Sequence, residues 1–453
     1  MSIKRIIQRF LSEGTILKYH KIRAKSAASL FRYPGASLKV IGVTGTDGKT
    51  TTCHLIASIL RQAGCKVAMA TTIDFQIGDQ VVKNKKNMTT VDPYDLQKFL
   101  HRAAKEKCIY AILEISAHAI SQYRIWGIPF EAAVLTNVTH DHLDYFKTFT
   151  KYRLVKEKLF AKSPYVSVIN ADDPSAVAFL KHTTKSQLTY AIHSKADYVA
   201  KKILYGPDRV SFTIIGSHGQ TPIFLNIPGK FNVYNALAAA AFAFSQHIPI
   251  DRIKSGLLSV KGIAGRMESI DSGQNFTVLI DFAHTPEALQ NAYQTIKNGT
   301  KGKLIAVLGS AGNHDKTKRP LLGEIAAHFA DNIIFTNEDP HTEDPESIID
   351  QIASGLTRSR KPKTKYKKSQ FKIFKTKSMG EGEWWWRISD RREAIRQALL
   401  LATSGDVVII TGKGAEETMA VGDKRIPWSD RKVTEELIKE LLKTGDIRSR
   451  SLK

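Results

Sequence analysis

The sequence predicts an α/β protein built from two consecutive parallel-sheet domains. Three observations carry that expectation. Short apolar runs recur along the chain, each closing on a polar or glycine-bearing turn and most followed by a helical stretch. Such runs read as buried parallel strands joined by helical crossovers. The polar residues of interest sit at the carboxyl ends of these runs, the edge where open α/β sheets bind ligands. The length of 453 residues exceeds one ordinary core, so two or three domains are needed.

Residues 1–37 read as a short helical lead. Ile3, Ile6, Ile7, Phe10 and Leu11 fall at helical spacing, with Lys4, Arg5 and Arg9 between them. Packing on the body of the protein is the default reading, and a basic helix on a membrane surface is the alternative. The strand runs begin with LKVIGVTG at 38–45, YAILEIS at 110–116, AAVLTNVT at 132–139 and YVSVIN at 165–170. Later come VLIDFAH at 278–284, KLIAVLGS at 303–310, NIIFTNE at 332–338 and DVVIITGKG at 406–414. An alanine-rich helix, Asn235 to Ala243, precedes a break at KGIAG, 261–265. The expected domains are therefore 38–265 and 266–453, with a basic insertion at 358–383 in the second.

Composition narrows the class. Hydrophobic residues make up 42% and charged residues 24%, as in soluble globular proteins. No apolar run reaches the roughly 18 residues needed to span a bilayer, and the start lacks the apolar core and cleavage site of a secretory signal. Cys53, Cys65 and Cys108 form no spaced framework, which fits a reducing, cytoplasmic setting and gives no zinc site. The net charge of +24 favours anionic partners. Much of it is local: Arg358 to Lys377 holds ten Lys or Arg and no acid. A solvated loop is the plain reading of that run. No RNA-binding signature accompanies Tyr366, Phe371 and Phe374, so no specific nucleic acid is expected.

The strongest motif is GVTGTDGKTT. It is close to G-x-x-x-x-G-K-[ST], with five residues in place of four between Gly42 and Gly48, and ends at Gly48, Lys49 and Thr50, after a predicted strand and before a predicted helix. Glycines let backbone N–H groups close on phosphate oxygens, and the helix N-terminus adds a favourable dipole. Lys49 can bridge β- and γ-phosphates, and Thr50 can ligate Mg²⁺. The first domain is thus P-loop NTPase-like, and the second, with its own strand-turn pattern, Rossmann-like. Glu114 ends the strand of ILEIS, a Mg²⁺ position beside a phosphate loop because the ion needs oxygen ligands. TNVTHDHLDY adds His140, Asp141, His142 and Asp144. In YRLVKEKLF the spacing alone makes Lys156 a surface charge.

These blocks follow one another in the order seen in the Mur ligases, which the chain resembles from residue 38 to its end. GKFNVYNALAA, GRMESI, DFAHTPEAL, GNHDKTKRP and GKGAEE continue the series. Within that family the sequence is most similar to the UDP-N-acetylmuramoyl-tripeptide synthetases, which add the third residue of a cell-wall peptide. The resemblance implies ATP held by Gly45, Thr46, Asp47, Gly48, Lys49, Thr50 and Thr51, with Asn137 close by. It implies Mg²⁺ on Thr50, Glu114 and His142, and on Lys156 once that lysine is carbamylated. Asn232 and Asn235 match the adenine-side pair. Arg266 matches an arginine that reaches the phosphates, Asp281 and His284 residues near ribose and base, and Lys316 a lysine at the nucleotide. Lys49, His142, Lys156 and Arg266 would be the catalytic set. ATP would lie clamped between the domains.

On the acceptor side, Thr89, Thr90, Ser116, Gln122 and Arg124 match residues that hold the muramoyl peptide; by themselves Ser116 and Gln122 are unremarkable. Glu338, Asp339, His341, Arg391, Gly412 and Glu416 match positions around the incoming amino acid. The implied substrates are UDP-MurNAc-L-Ala-D-Glu and an amino acid, joined through an acyl phosphate by a monomer. Two departures stand out. The phosphate loop starts about sixty residues early for the family, so the uridine-gripping domain is reduced to residues 1–37. Where diaminopimelate enzymes carry Asp-Asn-Pro-Arg, this chain has Glu338, Asp339, Pro340 and His341, leaving diaminopimelate, lysine and other diamines open. Trp384, Trp385 and Trp386 read as burial at a domain edge. A folylpolyglutamate synthase is the nearest alternative, but GKTT replaces its usual GKGS. A nucleotide-dependent binding protein acting through the basic loop is the alternative of another class.

Overall fold

The computed structural model describes residues 12–84, 86, 88–139, 141–162, 165–206, 209–358 and 384–450. The expected helix over Ile3–Leu11, His140 and nearly all of the basic insertion lie outside the described residues. The chain forms two compact units, one mainly of residues up to Lys261 and the other mainly of those from Gly262.

The first unit opens with helix α1 (Glu13–Leu30), capped by Ser12, whose Oγ accepts from Thr15 N. Its eleven-stranded sheet comprises β1 (Lys39–Thr44), β2 (Val67–Ala70), β3 (Asp74–Ile77), β4 (Gln80–Lys83), β5 (Tyr110–Glu114) and β6 (Phe130–Leu135), then β7 (Val166–Asn170), β8 (Ser186–Ala191), β9 (Tyr198–Tyr205), β10 (Val210–Gly216) and β11 (Gly219–Leu225). Their order is β11-β10-β9-β8-β7-β6-β1-β5-β2-β3-β4. From β9 to β2 the pairings are parallel. β1 is central: Val40, Ile41 and Val43 are fully buried, because helices cover both faces of a parallel sheet. Antiparallel pairs flank it, β3–β4 at one edge and β10–β11 at the other.

The helices of this unit are α2 (Lys49–Gln62), α3 (Pro93–Lys105), α4 (Ala117–Ser121), α5 (Leu143–Phe146), α6 (Phe149–Phe160), α7 (Ala176–Leu180), α8 (Lys230–Ser245) and α9 (Ile250–Ser259). α8 is the alanine-rich helix, and its alanines are almost wholly buried. In register, Val43 lies opposite Glu114 of β5 and Val134 of β6. The carboxyl ends of these three strands therefore share one edge, which places the phosphate loop, Glu114 and Thr136–Asn137 together.

The second unit holds a six-stranded sheet, order β12-β13-β17-β14-β15-β16. Its strands are β12 (Glu268–Ile270), β13 (Thr277–Asp281), β14 (Leu304–Leu308), β15 (Asn332–Phe335), β16 (Trp385–Arg387) and β17 (Val407–Thr411). All pairs but β12–β13 are parallel. A hairpin of β18 (Thr418–Val421) and β19 (Lys424–Pro427) follows. The helices are α10 (Pro286–Gly299), α11 (Arg319–Phe329), α12 (Pro345–Ala353), α13 (Arg391–Leu401) and α14 (Asp430–Thr444).

Every predicted apolar run is a strand of a parallel core, and the α/β class holds for both units. Unpredicted are β2, whose buried apolar run is only four residues long, the partly or fully exposed strands β3, β4 and β8–β11, which lack continuous apolar runs, and the short strands β12, β16, β18 and β19. The tryptophans contribute an edge strand: Trp385 and Trp386 pair with Ile333 and Ile334 of β15.

Candidate active site

β1 runs into the loop Gly45–Gly48 and then into α2. Gly45 has φ +152°, and a Cβ there would collide with Thr136 Oγ1; Gly48 has φ +82°, and a Cβ there would strike Asn235 Oδ1. Both glycines are therefore fixed by close approach of other elements as well as by backbone angle. Asn137 shapes the loop: its Oδ1 accepts from Thr46 N at 3.2 Å and Asp47 N at 2.9 Å, and its Nδ2 donates to Asp47 O at 3.2 Å. Gly48 caps α2 without a side chain, leaving the helix N-terminus to the loop. Lys49 Nζ donates to Thr46 O at 2.6 Å. Thr51 is buried in the first turn.

Glu114, from the end of β5, is buried and accepts from Thr50 Oγ1 at 2.9 Å and Thr72 N at 2.8 Å. A hydroxyl and a carboxylate meeting at a phosphate loop are hard oxygen donors of the kind Mg²⁺ takes, with phosphate and water completing its shell. Among the described residues no cluster of three or more His, Cys, Asp or Glu could hold a metal by protein groups alone. The donor set fits an ion shared with a nucleotide.

Lys156 corrects the surface reading. It lies on the inward face of α6, is 1% exposed, and donates to Gly45 O at 2.6 Å. Its Nζ lies 4.4 Å from the centre of the Tyr152 ring. Burial, and then the nearby charge of Lys49, hold its pKa well below the usual lysine range. The Tyr152 ring also lies 6.2 Å from that of His142, and its hydroxyl is 3.3 Å from Thr46 Oγ1. His142, at φ +54°, sits 3.3 Å from Asp141 Oδ2. His118, without a role in the sequence reading, packs edge-on against His142 at 4.8 Å; burial, then the neighbouring His142, lower its pKa to about 3, so it is a neutral ring.

On α8, Asn235 Nδ2 donates to Asn232 Oδ1 at 3.0 Å, and Asn235 Oδ1 accepts from Thr52 at 3.3 Å, so the asparagine pair borders the loop. Beyond Glu114 lies the proposed acceptor cluster. Thr90 Oγ1 donates to Glu114 O at 2.8 Å and accepts from Ser116 N at 3.0 Å. Arg124 donates to Gln122 Oε1 at 2.6 Å and to Thr90 O at 2.6 Å. Thr89 is the half-buried residue before it. Thr90, Ser116, Gln122 and Arg124 thus form one network, tied to Glu114 through its backbone.

In the second unit, Asp281 at the end of β13 accepts from Met267 N and Ala283 N, each at 2.7 Å; burial raises its pKa despite Arg266. Arg266 lies 4.4 Å from the Phe282 ring centre, and His284 Nδ1 is 2.9 Å from Phe282 O. These three form one corner. Lys316 is elsewhere, paired with Glu343 at 3.2 Å.

A second cluster gathers at the ends of β15 and β17. Glu338 is buried, its Oε2 lacks a hydrogen bond, and burial outweighs Lys318, Lys413 and Arg391 to raise its pKa to about 7. A Cβ at Gly412 would strike that same oxygen. Lys413 is fully buried and donates to Asp339 at 2.9 Å and Glu416 at 2.7 Å. Burial lowers its pKa, but the two carboxylates overcome this and raise it. Arg391 is a buried tie: Nε and Nη2 donate to Asp430 at 2.8 and 2.7 Å, Nη1 to Asn337 O and Nη2 to Thr411 O. His341, at φ +51°, takes a hydrogen bond on its carbonyl from Gly422 N, and its ring centre is 6.0 Å from that of His314. Lys413 and Asp430 were missed by sequence reasoning. The glycines on either side of Lys413 at a strand end were the available signal for the first, and nothing local marked the second.

The phosphate loop, its acidic partner and the carboxyl-edge clusters define a nucleotide-using α/β enzyme. Residues 43–243 match the Mur ligase middle domain, and residues 265–414 match the Mur ligase, glutamate ligase domain. The chain belongs to the Mur ligase family. It is 38% identical over 92% of its length, and 81% of the relative, to the UDP-N-acetylmuramoyl-L-alanyl-D-glutamate–2,6-diaminopimelate ligase of Syntrophomonas wolfei. It is 38% identical to the UDP-N-acetylmuramyl-tripeptide synthetase of Roseiflexus, covering 92% of this chain and 82% of that one. A solved UDP-N-acetylmuramoyl-L-alanyl-D-glutamate–2,6-diaminopimelate ligase superposes with a TM-score of 0.61 at 30% identity, covering 93% of this chain and 83% of that one. Like its family, the chain is an ATP-dependent ligase that forms amide bonds.

Proposed function

We propose that the protein adds the third amino acid, a diamine such as diaminopimelate or lysine, to UDP-MurNAc-L-Ala-D-Glu in the cytoplasm, acting as a monomer. The observation that carries the reading is the joint placement of Thr50, Glu114 and buried Lys156 around the phosphate loop. The terminal carboxylate of the acceptor attacks the γ-phosphorus, ADP leaves, and an acyl phosphate forms. The amine then attacks the acyl carbon, phosphate leaves, and the amine nitrogen gives up a proton.

Thr50 and Glu114 would hold Mg²⁺, which supplies charge neutralisation at the phosphates. Lys49 would bind the phosphates and Asn232 and Asn235 the adenine side. Arg266, Asp281, His284 and Lys316 would complete nucleotide binding. Lys156 would act as a carbamate: its depressed pKa favours the neutral amine that adds to CO₂, and the anion formed would relieve repulsion with Lys49. Thr89, Thr90, Ser116, Gln122 and Arg124 would serve the acceptor, and His142 would join Thr50 and Glu114 in holding Mg²⁺. Around the incoming amine, Glu338, Asp339 and Glu416 supply negative charge, Gly412 leaves room, and Arg391 and His341 frame the site. Two acids about Lys413 and the unpaired Glu338 oxygen favour a substrate with a second cationic group.

The test is phosphate release from Mg-ATP with UDP-MurNAc-L-Ala-D-Glu across a panel of amino acids. Release that needs both the nucleotide sugar and one diamine is expected. Release indifferent to the amine, unchanged by Glu114→Gln, sinks the reading.

A further inference from the structure

A groove of about 310 Å³ on the first unit lies between α3 and the β3–β4 hairpin, away from the phosphate loop. Phe75, Ile77, Val82, Val91 and Phe99 make its walls, and Lys83, Lys86, Lys98 and Arg102 its rim. Asp95 is the single acid among its lining residues and is paired with Lys86. The hairpin leaves Val81 56% and Val82 61% exposed.

α3 joins this groove to α1. Tyr94 and His101, seven residues apart, pack on Phe31 just after α1, with ring centres at 5.1 and 5.8 Å. Asp95 and Phe99 face the groove. By helical spacing Lys98 and Arg102 occupy the ridge between. α1 buries Ala24, Ala27 and Ala28 and turns a mixed face outward, with Ile22 64% and Leu30 65% exposed beside Lys18, Arg23 and Lys25. From Gly14 to Leu30 the helix has no acidic residue.

Exposed aliphatic side chains cost free energy in water, yet here they recur on α1, which packs on α3, and on the β3–β4 hairpin across the groove from α3, with cations beside them. Tyr19 at 56% and Tyr94 at 46% are also exposed on these helices; tyrosine suits a bilayer interface as well as a base-stacking surface, so RNA binding is an outcome the test must separate. Cations interspersed with aliphatic groups match anionic headgroups above acyl chains. We propose that α1, α3 and the β3–β4 hairpin form a docking surface for an anionic lipid bilayer, with acyl-chain ends entering the groove. The surface would hold the ligase at a membrane face without crossing it.

Vesicle flotation of the full chain tests this, with phosphatidylcholine alone or mixed with phosphatidylglycerol. Binding is expected only to the mixed vesicles and weakens as salt rises. Lys98→Gln and Arg102→Gln should each weaken it about five-fold, whereas Lys98→Arg retains it. Ile22→Ser should weaken binding and leave the salt dependence in place. None of these changes should alter ATP turnover. Equal binding to both vesicle types, or Gln variants that bind like the parent, overturns the proposal. So does an RNA oligonucleotide that binds the parent while the mixed vesicles do not, or self-association that Ile22→Ser abolishes in the absence of vesicle binding.

Discussion

Lys156 carries an amine into a space that is 1% exposed and already holds the charge of Lys49. The fold disfavours its protonated form, so it binds fewer protons folded than unfolded, and stability rises with pH through the interval between the two pKa values. Lys156→Met should therefore raise the melting temperature at neutral pH while lowering turnover about a hundred-fold or more, the scale of losing one positioned charge. Calorimetry beside a phosphate-release assay measures both effects. Glu338 has the opposite proton balance. Its folded pKa of about 7 lies above that of an unfolded glutamate, so its stabilising contribution is complete at low pH and is lost as pH rises through 7. Glu338→Gln should remove that dependence. The gain at pH 8 over pH 5 reaches up to about 3 kcal/mol, read by urea unfolding. Tryptophan fluorescence reports this unit, because Trp384, Trp385, Trp386 and Trp428 lie in it and only Trp126 lies in the other.

At the scale of elements, short polar ties fix the strand ends that carry the clusters. Asp430 opens α14 and receives two hydrogen bonds from Arg391 of α13 and one from Trp428 Nε1 at 2.8 Å. Arg391 in turn holds the carbonyls that follow β15 and end β17. Removing the acid strands a buried guanidinium. Asp430→Asn should cost about 3 kcal/mol or more, seen as an earlier unfolding transition of the second unit. The phosphate loop is organised the same way, with Asn137 after β6 bonding two loop amides. β5 and β6 therefore shape the loop as much as its own glycines do.

For the whole molecule, nucleotide binding should register as stability. Mg-ATP at a hundred times its dissociation constant adds about 2.7 kcal/mol. The melting temperature of the parent should rise accordingly, and that of Lys49→Ala should barely move. The net charge of +24 suits this anionic ligand, and part of it is organised on α1 and α3, outside the nucleotide site.

The strand runs, the α/β class and the phosphate loop were legible in the sequence because each is local: continuous apolar residues make a doubly covered strand, and glycines at fixed spacing make the loop. The unpredicted strands β3, β4 and β8–β11 had no such run, and that of β2 is too short, at four residues, to stand out. Lys156 could not be read from its neighbours, since its burial depends on Gly45, 111 residues away. Thr50 and Glu114 stand 64 residues apart and meet only through the parallel pairing of β1 with β5. The unpaired oxygen of Glu338 and the Arg391–Asp430 tie likewise arise where separate strand ends converge. Sequence determined which residues carry the chemistry; tertiary structure decided their burial and partners, and hence their protonation, because desolvation and charge proximity are properties of space and not of chain order.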